Sequence, residues 1–368
     1  MTIVKFGDVA QKVLGNEDRL STTREYYIGG EHFATGNLEI KQFGRIRDED
    51  LGYQFHFPFE SGDVLFMTKN PRLKKAGRVN ISGICSIATF VIRTKSESRL
   101  LQDFLPILMQ SDSFWEYLMA NQSGSVNPFI KWGTLEKYCF DLPDISTQKQ
   151  YCTIIWNLQE LINELETQTA LLDQLVKSRF IEMFGTIDNS HFKYTALEQL
   201  CYILDSQRIP ITAKDRVPGP YPYYGANGVQ DYVADYIFDD ELILLAEDGG
   251  HFDEIGRIAY MISGKCWVNN HAHILKPKSG LNIYYLLHSL NMIDLSMEVN
   301  GTTRQKLTQT AMRRIKLPLP PVELQNQFAD FVQQVDKSKI ELQKHFDDTK
   351  RLQKALINQA FNPESVQD

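Results

Sequence analysis

The chain has 368 residues, 43% hydrophobic and 23% charged, a balance that supports sizeable buried cores and a length that suits two domains plus connecting elements. A net charge of −7 argues against a uniformly basic nucleic-acid coat, and five scattered cysteines with no CxxC pair indicate neither a disulfide framework nor a zinc cluster. No run of 18 apolar residues occurs and MTIVKFGDVAQKV lacks a signal-peptide layout, so the expectation is a cytoplasmic protein with no membrane contact.

Residues 1–141 read as a mixed, strand-rich module. DVLFM and ISGICSIATFVI alternate with glycine and asparagine turns, and DFLPILMQSDSFWEYLMA (103–120) predicts one amphipathic helix. Within this module KNPRLKKAGR (69–78) gathers Lys69, Arg72, Lys74, Lys75 and Arg78 with no acid, a cluster suited to phosphates or to a solvated surface. At LPDISTQKQ (142–150), Pro143 marks a helix entrance, because proline tolerates a first turn and nothing deeper. Ile154, Leu158, Leu161, Leu165, Leu172 and Leu175 then recur in heptad steps with Gln168 and Arg179 in phase, predicting a helix over 146–183.

Residues 186–316 repeat the pattern. GPYPYYGANGVQDYV (219–233) predicts a tight loop in which Gly225, Asn227 and Gly228 suit positive φ and Tyr221, Tyr223 and Tyr224 set rings beside it. ELILLA and HAHILKP read as strands, 283–297 as a second amphipathic helix, and 299–316 holds Arg304, Lys306, Arg313, Arg314 and Lys316 without an acid. LPLPPVELQ then opens a second helix whose seam carries Val335, Leu342, Leu352 and Leu356, interrupted by Ser338, His345 and Thr349, with His345 equivalent to Gln168.

Sliding the chain by 175 to 179 residues pairs SGDVLF (61–66) with DELILL (240–245), AGRVN (76–80) with IGRIA (255–259), LPDISTQKQ with LPLPPVELQ, and KSRFIEMFG (177–185) with KALINQAFN (354–362), always in the same order. The chain is therefore read as a tandem of an α+β module and a long helix, with segments 1–141, 142–185, 186–316 and 317–368, and with the two helices as an antiparallel intramolecular coiled coil. The helical segments carry 3 Lys+Arg against 6 Asp+Glu and 6 against 8, so they supply five of the seven excess negative charges and leave the modules near neutral.

Catalytic patterns are weak. Asn127-Pro128-Phe129 lacks the second proline of an adenine methyltransferase motif, and neither a glycine-rich cofactor loop nor a GxxxxGK(S/T) phosphate loop is present. His271 and His273 share a strand face that a metal can use, but ordinary hydrogen-bonded histidines are the better reading, as is a solvated turn for Glu247-Asp248 before Gly249-Gly250.

YYIGGEHFATGNLEI (26–40), YPYYGANGVQDYV (221–233), GRIAYMISGKCWVNNHAHILKP (256–277) and NGTTRQKLTQTAMRRIKLPLPPVELQNQF (300–328), in this order, resemble the specificity subunits of type I restriction-modification systems. The resemblance covers essentially the whole chain. It departs where SGSVNPFIKWGTLEKYCFDLP (123–143) replaces the second copy's GTTRQKL, so Thr303, Arg304 and Lys306 have no clear counterparts in the first module.

The resemblance implies two target-recognition domains separated by the coiled helices, each domain reading one half of a bipartite, asymmetric site in double-stranded DNA. It implies methylation subunits, two per specificity subunit, docked on acidic helices, restriction subunits joined through them, and S-adenosylmethionine and ATP held by those partners rather than by this chain, which is itself non-catalytic. Phosphate contacts are expected from Lys69, Lys74, Lys75, Arg304, Lys306 and Arg313, and base contacts from among Tyr224, Asn227, Arg72, His32 and Gln207. Two other classes stay open from the residues, a coiled-coil interaction scaffold and a metal-dependent nucleic-acid enzyme built on His271 and His273, and within the resembled family an orphan specificity protein without active partners stays open as well.

Overall fold

The computed structural model describes residues 2–250, 252, 258–296, 298–299 and 305–361. It divides into two compact units, one formed by 1–167 with 343–368 and the other by 168–342. Each unit therefore takes a stretch of both long helices, Ile145–Phe184 and Val322–Phe361, in addition to its own sheets. Among the described residues, no helix is long and apolar enough to cross a membrane.

In the first unit a five-stranded sheet runs in the order Ala10–Lys12, Thr89–Thr94, Val64–Met67, Ala76–Val79, Glu39–Ile40. Val64, Leu65, Phe66 and Met67 are all buried, because one sheet face meets helices and the other a second sheet. That second sheet runs Gly44–Arg45, Tyr26–Ile28, Gly83–Ser86, Phe55–Phe59, with a parallel pairing at its centre. Thr2–Lys5 and Cys139–Leu142 close a two-stranded sheet at the module's exit.

The second unit repeats this topology. Cys201–Ile203, Ala272–Pro277, Leu242–Ala246 and Ala259–Ile262 lie in the order of the first four strands above. Gly228–Val233, Pro218–Gly225, Lys265–Val268 and Phe238–Asp239 form the second sheet, again with one central parallel pairing. Tyr194–Ala196 and Lys316–Pro318 make the exit pair.

The apolar stretch at 103–120 forms two helices rather than one, Leu105–Met109 and Asp112–Ala120. The break falls at Gln110 and Ser111. The Gln110 side chain donates through Nε2 to the carbonyls of Asn37 and Ala76, and Ser111 caps the next helix by accepting from the Phe114 amide. In the second unit the corresponding helix is Ile283–Asn291, capped by Asn282.

The repeated proline phrase closes on a glutamine. Gln148, five residues after Pro143, is fully buried, donates to the carbonyls of Pro143 and Arg99 at 2.8 Å, and accepts from the Leu101 amide at 3.0 Å. Gln325, five residues after Pro320, does the same, donating to Pro320 (2.8 Å) and Gly280 (3.2 Å) and accepting from the Asn282 amide at 2.8 Å. Each helix entrance is thereby locked to a loop of its own module. The first long helix also has an N-cap in Asp144, which accepts from the Thr147 amide at 2.8 Å, and it ends at Gly185, whose φ of 78° suits a glycine after a helix.

Within the second unit the long helices run antiparallel, since Asp173 meets Lys339, Arg179 lies over the ring of Phe331, and Phe184 packs on Phe328. The heptad seam needs correction by one residue along much of its length. On the first helix the buried stripe is Ile155, Gln159, Ile162, Leu165, Val176, Phe180 and Phe184. Of the expected seam, Leu165 is buried and Leu158 and Leu172 half-buried, but Ile154, Leu161 and Leu175 are 48%, 42% and 47% exposed. On the second helix Val335 is buried, Leu342 and Leu356 half-buried, and Leu352 exposed while Gln353 is buried. The cause is what the helices pack on: Phe180, Phe184 and Ile155 belong to module cores, so the modules and not only the partner helix set the buried face. Gln168 and His345 are exposed, and the buried polar layer in the first unit is instead Gln353 donating to Gln159 at 3.2 Å.

Candidate functional site

The basic stretch of the first module forms a turn at a strand exit. Val64–Met67 ends, and Lys69 to Lys75 loop back to the strand Ala76–Val79 through a single 3-10 turn at Pro71–Leu73. Two non-glycine residues in the turn adopt left-handed backbone, Asn70 (φ 52°) and Lys74 (φ 47°). Asparagine accepts that conformation readily, whereas for lysine it costs about 1 kcal/mol, a local strain of the kind that clusters at functional surfaces. Bonds from the Leu73 amide to Asn70 and from the Lys74 amide to Pro71 hold the loop closed, and the Asn70 amide is tied to Pro128.

The four cations of this turn are not equivalent. Lys74 turns inward to Asp112 (3.3 Å), whose carboxyl is also held by Lys354 and Asn358, and Lys75 donates to the Gly30 carbonyl at 2.7 Å. Burial alone raises the Asp112 carboxyl, but the bonds from Lys354, Asn358 and Lys74 outweigh it and hold the group below its ordinary range. Lys69 and Arg72 are exposed, and among the described residues their side chains have no ion-pair or hydrogen-bond partner. His32 sits below, half-buried, with Nδ1 accepting from the Gly29 amide and its ring edge-on to Tyr27.

The second unit handles charge differently at the topologically equivalent exit, after Leu242–Ala246. Glu247 and Asp248 follow that strand, and an isolated bridge joins Asp248 to Lys306 as one joins Lys69 to Phe129 in the first unit. Beneath it lies a buried ionic cluster. The Nδ1 of His273 is 2.7 Å from Asp205 and its Nε2 is 2.9 Å from the Leu307 carbonyl, while Arg208 pairs with Glu247 at 2.6 Å and donates to the Ala272 carbonyl. Both neighbours of the His273 ring are acceptors, Asp205 and the Leu307 carbonyl. Burial raises the Asp205 and Glu247 carboxyls, and the bonds from His273 and Gln309 to the first and from Arg208 and Lys306 to the second more than reverse that, leaving both below their ordinary range. Asp205, Glu247 and His273 bring possible ligand atoms within 4.8 Å of one another, but Arg208 and Lys306 already supply the countercharge. His271, 35% exposed, bonds Asp248 separately, so the two histidines do not converge on one point.

The other expected contacts are scattered. Lys306 is exposed and paired with Glu247 at 3.0 Å, and Arg313 lies 3.8 Å from Glu198. Arg304 and Thr303 lie outside the described residues. Tyr224 is half-buried beside Tyr260, Gln207 is exposed, and Asn227 is exposed but donates to the Gly249 carbonyl. In the tyrosine-rich turn only Gly228 has positive φ (107°); at Gly225 a Cβ would meet chiefly the end of the exposed Gln230 side chain, which can swing aside, so neither Gly225 nor Asn227 takes the conformation expected of it.

Sequence reasoning missed Gln148 and Gln325, although a proline followed five residues later by glutamine in both phrases was the available signal. It also missed Asp205 and Arg208, whose partners are distant in sequence.

Two α+β units of the same topology, each locked by a glutamine to a long shared helix, define a tandem-module protein. Residues 189–349 match the type I restriction modification DNA specificity domain. A type I restriction enzyme specificity subunit of Haemophilus influenzae is 36% identical over 141 residues, 38% of this chain and 36% of that protein. A type I specificity subunit of Mycoplasma pneumoniae is 26% identical over 198 residues, 52% of this chain and 80% of that one. The match to the EcoprrI specificity subunit of Escherichia coli spans 28% of its length, so the matching stretches cover well under two thirds of both it and the Haemophilus relative. The type I system S subunit of M. genitalium shares the fold across 98% of this chain and 96% of its own, with a TM-score of 0.57 at 14% identity. A chain from a type I system studied for its complex assembly and conformational transition does so over 98% and 97%, with a TM-score of 0.55 at 19% identity. The specificity-domain match thus accounts for residues 189–349, and over the rest of the chain the likeness to type I S subunits is one of fold.

Proposed function

We propose that this chain directs a type I restriction-modification complex to a bipartite DNA target, each unit reading one half-site. The observation that carries the proposal is the duplicated unit: the same strand order and the same glutamine lock occur twice, while the charged exits differ, as two different half-sites require. The contact set comprises Lys69, Arg72, Tyr224, Asn227, Arg304, Lys306 and Arg313, with Lys74 and Lys75 turned inward to hold their loop, phosphates fixing position and base edges supplying specificity. The two 40-residue helices, each shared between the units, set the unread spacer, and exposed apolar positions such as Leu161, Leu175 and Leu352 serve the docking of methylation subunits, two per chain. Restriction subunits join through those partners, which hold S-adenosylmethionine and ATP; this chain performs no catalytic step.

The test is selection of duplexes from a random library by the full-length chain with its co-purifying subunits. The proposal expects a two-part motif with a fixed gap. A single continuous motif, or none, would refute it.

A further inference from the structure

The turn Lys69–Lys75 borders a cleft of about 610 Å³ in the first unit. Its far wall carries Tyr53 and Ile87, 80% and 52% exposed, and the turn itself presents Leu73 at 42%. A surface that only touches phosphate has no use for such side chains, since backbone contact is made by cations and amide donors. Lys69 and Leu73 line this cleft, and Arg72 stands exposed next to Leu73 on the same closed and partly strained loop, so the turn offers unpartnered cations together with an apolar group, as base-edge reading demands: a donor fork for guanine and an apolar contact for the thymine methyl. Inward anchoring of Lys74 and Lys75 supplies preorganisation, because the loop is already fixed before binding and the ordering cost on contact is small.

We propose that Arg72 is a specificity-determining residue of this chain, reading a base edge of one half-site from the Lys69–Lys75 turn, with Lys69 as the adjacent phosphate anchor. This rests on the DNA-recognition reading above and narrows it to one unit and one loop. At the equivalent exit of the second unit, Lys306 and Arg208 are both paired with Glu247.

The test repeats the duplex selection with Arg72→Ala, Lys69→Ala and, as a control cation elsewhere on the same unit, Arg47→Ala. Among the described residues the Arg72 side chain has no hydrogen bond or ion pair that its removal would leave unsatisfied. For Arg72→Ala the expected result is a tenfold to hundredfold loss of preference, roughly, at one or two base pairs of one half-site, with the other half-site intact. Lys69→Ala is expected to weaken binding evenly across sequences and to lower the salt slope by about one. Arg47→Ala should match wild type. Unchanged preferences at both half-sites in Arg72→Ala would overturn the assignment, and loss of co-purifying subunits in that variant would mark the turn as a protein contact instead. If wild type itself selects no two-part motif, the DNA-recognition reading fails first, an outcome visible without any variant.

Discussion

Replacing Gln325 by alanine should destabilise the second unit by about 2–3 kcal/mol. The side chain is fully buried and makes three bonds, two donated to carbonyls and one accepted from the Asn282 amide. Truncation strands the Pro320 carbonyl in the interior, at a cost of roughly 1–3 kcal/mol, while Gly280 and Asn282, only part-buried, regain water and cost less. Gln325→Glu should be at least as harmful, because the two donated bonds disappear and an anion is set against two carbonyl oxygens. Hydrogen exchange of the Asn282 amide reads the lock directly, and denaturant unfolding gives its magnitude. Gln148→Ala should show the same loss at the Leu101 amide in the first unit, and the two effects should add, since the sites share no partner. An Asn282 amide still protected in Gln325→Ala, with stability within about 0.5 kcal/mol of wild type, would refute the role assigned to the repeated phrase.

Four residues inserted in each long helix should lengthen the spacer by roughly 6 Å, about two base pairs, with both half-sites unchanged; an unaltered spacer in the selected duplexes would show that the helices do not set it. Burial holds His288 down to about 4. Its folded value lies below the unfolded one, so its contribution is complete above about pH 6.5 and lost as pH falls toward 4, by roughly 2 kcal/mol once partial exposure is allowed for. His288→Leu should flatten that part of the stability–pH curve. His273→Phe installs the residue type found at the matching strand position of the first unit, Phe90, but leaves Asp205 short of a buried partner; a loss of about 3–5 kcal/mol is expected in thermal or urea unfolding.

The order of elements was legible because it is written in local chemistry. Pro143 and Pro320 start helices, Gly185 ends one, and the four- and five-residue apolar runs of buried strands announce themselves. The helix face was legible only to within one residue. Leucine stands both at Leu165, in the core, and at Leu161 and Leu175, in solvent, so an apolar heptad cannot say which stripe a module will cover. The ionic cluster of the second unit was hidden for another reason. Asp205, Glu247, His273 and Leu307 come from four separate segments, and nothing local to any of them records the others. In the first unit the cluster KNPRLKKAGR was visible as charge, but only the fold separates the inward Lys74 and Lys75 from the outward Lys69 and Arg72.

The central claim is met most directly by mapping methylated adenines across the genome of the source cell with and without this gene. Loss of one two-part, asymmetric motif on deletion, and its return on complementation, is the predicted result. A methylation pattern unchanged by deletion would contradict a role in directing methylation and return the chain to the class of interaction scaffolds.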